Sequence, residues 1–268
     1  MSEDPPKVVL TIAGFDPSSG AGITADLKTI AAHHLHGVAC ITALTVQGTQ
    51  GVQQVHLVDP KLVRVTLETL IADVQPAAVK IGMLGSGKVA EVVADFLISA
   101  SVRNVVLDPV LRSSSGADLL DAAGLTSLRN RLLALVDVTT PNLEEAGLLT
   151  EMEVRDLDSA REAARRLVEG RAKAAVVTGG HLPKGADVLA ERKKDGSIKL
   201  QTFPGTKVET ANTHGTGCAF STALACNLAL GLPLHDAVQT AKAFVTQALK
   251  HSYSIGKGVS PVNPLFGV

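Results

Sequence analysis

The chain has 268 residues, 46% of them hydrophobic but only 3% aromatic, with no Trp, so its core must be built from Ala, Val, Leu and Ile, the composition of parallel strands buried under helices. Its formal net charge is −1, from 25 basic and 26 acidic residues, and no basic block interleaved with aromatics occurs, which counts against a nucleic-acid partner. The first residues, Met1-Ser-Glu-Asp-Pro-Pro6, lead into no signal-like apolar run, and the longest apolar stretch, Cys218 to Leu234, is broken by Ser221, Thr222, Asn227 and Pro233; a cytoplasmic protein with no membrane partner is expected.

Apolar runs of strand length alternate with helix-period segments along the whole chain. Strands are predicted at Val8 to Ala13, Val38 to Val46, Ala78 to Ile81, Asn104 to Leu107, Val136 to Thr139 and Ala174 to Thr178. Helices are predicted at Thr24 to His34, Pro60 to Asp73, Val89 to Ala100, Ala122 to Leu135, Leu143 to Leu149, Ser159 to Glu169, Gly217 to Leu230 and Leu234 to His251. This βα rhythm predicts an α/β fold: a doubly wound, mostly parallel sheet with helices on both faces. Val188 to Thr202 breaks the rhythm around Asp195-Gly196 and reads as an edge β-hairpin. No linker divides the chain, so one domain over residues 1–268 is expected.

In such sheets ligands bind beyond the carboxyl ends of the strands. The loop Ala13-Gly-Phe-Asp-Pro-Ser-Ser-Gly-Ala-Gly22 is either a plain glycine-rich connection or a backbone wall for a small polar substrate. Gln47 is either part of a polar turn or an amide that donates to and accepts from a heteroaromatic ring. Asp108 places a carboxylate at the functional edge, suited to magnesium or a metal-bound water. Asn142 and Glu145 share a helix face, fitting both a capping box and a pair of oxygen ligands for Mg2+. Thr178-Gly-Gly-His181 offers a strand end where a nucleotide phosphate can approach the backbone.

Asn212-Thr-His-Gly-Thr-Gly-Cys218 is the most informative segment. Its glycines let the backbone turn amides toward an anion, and the helix that follows adds its positive dipole end. Cys218 at that rim is expected to ionise more easily than a core thiol, although a small buried Cys fits the same pattern. Cys40, Cys218 and Cys226 lack Cys-x-x-Cys spacing, so neither a disulfide framework nor a zinc site is expected. The eight histidines show no metal spacing and are expected at the surface or an interface. Gly82-Met-Leu-Gly-Ser-Gly-Lys88 approaches a P-loop but has Val89 where the magnesium-binding hydroxyl belongs. It is read as a strand-to-helix turn with a solvated Lys88.

Thr11 to Lys28, Ile41 to Thr49, Lys80 to Leu84, Val106 to Val110, Thr140 to Ala146 and Asn212 to Cys218, taken in order, closely resemble the hydroxymethylpyrimidine/phosphomethylpyrimidine kinases of the ribokinase-like superfamily. That resemblance implies ATP- and Mg2+-dependent phosphorylation of 4-amino-5-hydroxymethyl-2-methylpyrimidine, then of its monophosphate, in thiamine biosynthesis. It assigns Gln47, Asp26, Gly14, Met83 and Val110 to the pyrimidine pocket. Asp108, Asn142, Glu145, Thr178, Gly180 and Thr213 fall to ATP and magnesium, with Asp108 and Glu145 reaching the metal through water. Gly215, Thr216, Gly217 and Cys218 fall to catalysis, Cys218 as the base, and a homodimer is implied. Phe15, Ser19 and Gly48 depart from the family pattern, which leaves a pyridoxal kinase of the same superfamily, or a pyrimidine sensor, as alternatives.

Overall fold

The computed structural model describes residues 5–113, 116–180, 182 and 185–268. The first half runs β1 (Val8–Phe15), α1 (Gly22–Ala32), β2 (His36–Gly48), β3 (Gly51–Leu57), α2 (Pro60–Asp73), β4 (Ala78–Ile81), α3 (Gly87–Ser99) and β5 (Val105–Leu107). The second half runs α4 (Ala122–Ser127), α5 (Leu133–Leu135), β6 (Val138–Thr139), α6 (Leu143–Thr150), α7 (Leu157–Gly170), β7 (Ala174–Val177), β8 (Asp187–Arg192), β9 (Ile198–Phe203), α8 (Thr216–Leu230) and α9 (Leu234–Lys250). A π-turn over Leu128–Leu132 joins α4 to α5, so the helix predicted over 122–135 is present with one widened turn.

Among the described residues the strands form one sheet in the order β3-β2-β1-β4-β5-β6-β7-β8-β9. From β2 to β7 the neighbours are parallel; β3 lies antiparallel on one edge and the β8–β9 hairpin closes the other. The chain winds outward from β1 to β2 and then crosses back to β4. The strand order therefore reverses between β1 and β4, the place where open α/β sheets leave a crevice.

Side chains alternate between two cores, as the strand period requires. Leu10, Ile12, Val79, Ile81, Val105 and Leu107 pack with α2 to α7, whereas Val9, Ala78, Val106, Val138 and Val176 pack with α8, α9 and Ile30 of α1. Helix α8 is buried almost all round, which its small residues permit, and it is bracketed by Gly215 at φ +78° and Gly231 at φ +95°. A Cβ at Gly215 would overlap the carbonyl oxygen of Gly20, so only glycine lets the two loops meet.

Three expectations change. The turn around Gln47 to Gly51 is the tip of a long antiparallel hairpin, because residues 51–57 form β3, a strand not predicted. A register shift between Val46 and Gln47, together with the half-exposed surface of β3, hides its alternation. The second strand, predicted from Val38, begins at His36, paired with Val8.

Candidate active site

Four segments converge at the β1–β4 crevice: the loop after β1, the ends of β4 and β5, and the amino end of α8. Beneath them lies a fully buried charge cluster. Lys80, on β4, places Nζ 3.0 Å from both Asp26 oxygens and 4.0 Å from Asp108 Oδ2. Asp26, on α1, also accepts from Thr11 Oγ1 at 2.6 Å and Thr222 Oγ1 at 2.8 Å. Ser221 Oγ, one turn into α8, donates to Asp108 Oδ2 at 3.0 Å. Burial alone disfavours the Lys80 charge, but Asp26, Cys218 and Asp108 outweigh it and hold the ammonium above the usual lysine range. For Asp108 burial wins, helped by Asp26, and its carboxyl is raised despite Lys80, Ser221 and a hydrogen bond with Cys218.

Cys218 reverses one expectation. Its thiol is pushed up to about 12, first by burial and then by the Asp108 and Asp26 carboxylates, against the opposing pull of Lys80 and the Gly22 amide. Proximity to a helix amino end lowers a thiol only where solvent and neighbouring charges allow it. Here burial comes first, and two carboxylates from distant parts of the chain add to it. Gly217 and Cys218 lie in the first turn of α8, where no helical carbonyl is available to their amides. The Thr216 amide and hydroxyl both turn back to the exposed Thr213 carbonyl, at 3.3 and 2.7 Å.

The loop after β1 and the amino end of α8 are held together by a second network. Asp16 accepts from Ser18 N and Oγ, Gly20 N, Ala21 N and His214 Nε2, the last at 2.8 Å. Burial works against this carboxylate, yet His214 and Ser18 hold it below the usual range. His214 is therefore a buried, paired residue, not the surface histidine its spacing suggested. Gln47, half-buried on the hairpin, comes within 3.2 Å of His214 Nε2. Gly14 lies against Met83, which packs with Ala43, Leu119, Val55 and Val110 into an apolar wall. Asp26, expected in the same pocket lining, is fully buried with both oxygens taken, and it supports the floor from behind.

Residues 258–262, a turn-rich tail in the sequence, strap the two sides together. Gly258 N donates to Thr49 Oγ1 and Val259 N to the Thr49 carbonyl, at the hairpin tip. Two residues on, Ser260 O and Val262 N grip the backbone of His214 at 3.2 and 3.1 Å.

At the start of α6, Asn142 and Glu145 form the capping box: Asn142 Oδ1 accepts from Glu145 N, and Glu145 Oε2 from Asn142 N, each at 2.9 Å. Glu145 is pushed up to about 8, first by burial and then by the charge of Asp108. Asp108 and Glu145 thus share a buried surplus of negative charge. Two hard oxygen donors suit Mg2+, which takes one or two carboxylates and completes its shell with water and phosphate. Among the described residues no group of three or more His, Cys, Asp and Glu side chains able to hold a metal forms. Thr178 N donates to the Pro141 carbonyl at 2.9 Å, and Gly180 is exposed and open above it; His181 lies outside the described residues.

Sequence reasoning gave no role to Lys80, Asp16, His214, Thr11 or Thr222. Lys80 carried a signal, a lone lysine in an otherwise apolar strand, that only the buried Asp26 explains.

A family model described as phosphomethylpyrimidine kinase matches residues 16–263. A hydroxymethylpyrimidine/phosphomethylpyrimidine kinase of Haemophilus influenzae is 42% identical over 260 residues, covering 96% of each chain. One from Escherichia coli is 40% identical, over 95% of this chain and 96% of its own. Among solved structures, a pyridoxal kinase of Bacillus subtilis in an ADP complex superposes with a TM-score of 0.87 at 33% identity, covering 96% of this chain and 97% of its own. A phosphomethylpyrimidine kinase from Clostridium difficile gives 0.78 at 33% identity, over 90% and 99%.

Proposed function

The chain belongs to the phosphomethylpyrimidine kinase family, and from that membership we infer that it transfers a phosphoryl group from ATP to 4-amino-5-hydroxymethyl-2-methylpyrimidine and then to the resulting monophosphate, in thiamine biosynthesis. The fold is ribokinase-like. The observation that carries the reading is the meeting of the Gly215 to Cys218 amides with the Lys80–Asp26–Asp108 cluster at the sheet's switch point.

Gln47 bonds the aminopyrimidine edge, and Gly14, Met83 and Val110 enclose the ring. The hydroxymethyl oxygen is directed toward Cys218. As the new O–P bond forms and the bond to ADP breaks, the amides of Gly215, Gly217 and Cys218 hold the phosphoryl oxygens. The alcohol proton passes to the Cys218–Asp108 couple, which shares one negative charge stabilised by Lys80. Thr178, Gly180 and Thr213 border the nucleotide phosphates, while Asn142 fixes the start of α6 and so the aim of Glu145. Asp108 and Glu145 would hold Mg2+ through water, supplying charge neutralisation to the phosphates. Exposed Leu44 and Val46, on one face of the hairpin, support a homodimer. No helix among the described residues is long and apolar enough to cross a membrane, consistent with work in the cytoplasm on small molecules. The whole of residues 1–268 acts as one kinase domain.

The test is a product assay that separates monophosphate from diphosphate, run with Mg-ATP on the pyrimidine and on pyridoxal. A pyridoxal kinase is the second reading, favoured by the TM-score of 0.87. A higher kcat/KM for pyridoxal would establish it in place of the first.

A further inference from the structure

The hydrogen-bond donors around Gln47 leave its amide only one consistent orientation. Asp16 already accepts four donors, from Ser18, Gly20 and Ala21, which marks it as an ionised acceptor. His214 Nε2, 2.8 Å from Asp16 Oδ2, must therefore carry the proton and donate it. A protonated Nε2 has no lone pair to offer, so the Gln47 atom 3.2 Å away must be the carbonyl oxygen. On the other side, Thr45 has one hydroxyl hydrogen, committed to the Phe15 carbonyl at 2.9 Å. The Gln47 atom 3.2 Å from Thr45 Oγ1 must then be the NH2. A half-turn of the amide about its last torsion replaces a donor–donor contact by a carbonyl that shares the His214 N–H with Asp16, and gives Thr45 Oγ1 a donor, without moving any other atom.

We propose that His214, held by Asp16, and Thr45 together act as specificity-determining positioning residues that fix the Gln47 amide with its C=O on the His214 side and its NH2 on the Thr45 side. The proposal rests on the pyrimidine reading of the site. Along that substrate's edge the order is ring nitrogen N3, the 4-amino group, then the 5-hydroxymethyl group. Gln47 N–H serves N3 and Gln47 C=O serves the amino group, so the amino group lies on the His214 side. The neighbouring hydroxymethyl group is carried further in that direction, toward Gly215 to Cys218. The opposite amide orientation would turn the ring over and carry the alcohol away from the phosphoryl group. The segment 258–262 holds the two sides in register, through Thr49 and the His214 backbone.

The test uses two alcohols, the 4-aminopyrimidine and its 4-oxo analogue, whose N3–H and C4=O reverse the donor and acceptor. The readout is the ratio of their kcat/KM values in the full-length enzyme, with KM for ATP measured alongside. Wild type prefers the amino compound by at least about a hundredfold, since a site that hydrogen-bonds its substrate strongly rejects the analogue that leaves those groups unpaired. His214→Leu and Thr45→Val each free the amide and lower that ratio about tenfold or more, leaving KM for ATP unchanged. If both variants lose activity on the two substrates equally, with the ratio intact, the proposal is wrong and the residues are only structural. If His214→Leu does not fold, Thr45→Val alone decides. A wild-type enzyme inactive on the aminopyrimidine would instead overturn the pyrimidine reading itself.

Discussion

Lys80→Met tests the buried cluster most directly. Methionine keeps most of the apolar stem of lysine and removes the ammonium with its charge and its two hydrogen bonds, leaving Asp26 fully buried with two hydroxyl donors, Thr11 and Thr222. Breaking a buried pair by deleting one partner costs about 3–5 kcal/mol, because the orphaned carboxylate cannot reach water. Against a total stability of roughly 5–15 kcal/mol this is severe, and it corresponds to a fall in Tm on the order of 10 °C for a domain of this size. The assay is urea unfolding of wild type, Lys80→Met, Asp26→Leu and the double variant. Removing both charges removes the orphan, so the double variant should recover a large part of the loss, with a coupling energy well above the ~0.5 kcal/mol expected of independent sites. A single variant that loses less than about 1 kcal/mol, or a strictly additive cycle, would refute the account of Lys80 as the counter-charge that makes this floor tolerable.

Cys218→Ala should lower kcat by about a hundredfold or more while KM for the pyrimidine stays nearly constant, the mark of a lost proton acceptor and not of lost binding. Because burial raises Cys40 to about 11, Cys218 to about 12 and Cys226 also upward, the native protein should react slowly with iodoacetamide near neutral pH, and all three thiols quickly once unfolded; a fast native thiol would reinstate the helix-dipole expectation. Burial and the charge of Asp108 push Glu145 up to about 8 from the ordinary 4.5, so between those pH values the folded state holds a proton that the unfolded chain has released, and metal-free stability falls as pH rises through the window. Glu145→Gln should flatten that slope in thermal scans from about pH 5 to about pH 8. Ser19 sits at φ +66°, so Ser19→Gly should stabilise the fold by roughly 0.5–1 kcal/mol, the left-handed penalty less the added chain entropy, and so raise the urea midpoint; a lower midpoint would show that the Ser19 side chain carries the turn.

The sheet was legible because its inner strands are short apolar runs that end in turns, and runs such as Ala78 to Ile81 are buried from end to end. Strand β3 was not, since Gly51 to Leu57 is half-exposed and bulged against β2. At the site, local rules worked where the chemistry is local. The capping-box reading of Asn142 and Glu145 holds, and the cap that starts α6 also sets Glu145 close enough to feel the charge of Asp108. They failed where partners come from afar. Nothing next to Cys218 announces Asp26 and Asp108, and nothing next to Lys80 announces Asp26, which becomes its neighbour only when β4 pairs with β1 and α1 packs alongside. His214 looked idle for the same reason: its partner, Asp16, is 198 residues away.

The strap over the pocket ties activity to the completeness of folding. The contacts that define the site span 198 residues from Asp16 to His214, 167 from Gln47 to His214 and 209 from Thr49 to Gly258, and contacts of such long range form last because their loop-closure entropy must be met first. On refolding, helical circular dichroism should therefore recover before kinase activity does. A molecule that has lost only the strap keeps its sheet and helices but not the link between the Gln47 hairpin and the His214 backbone, so turnover should report on the integrity of the whole chain more sharply than its secondary structure can.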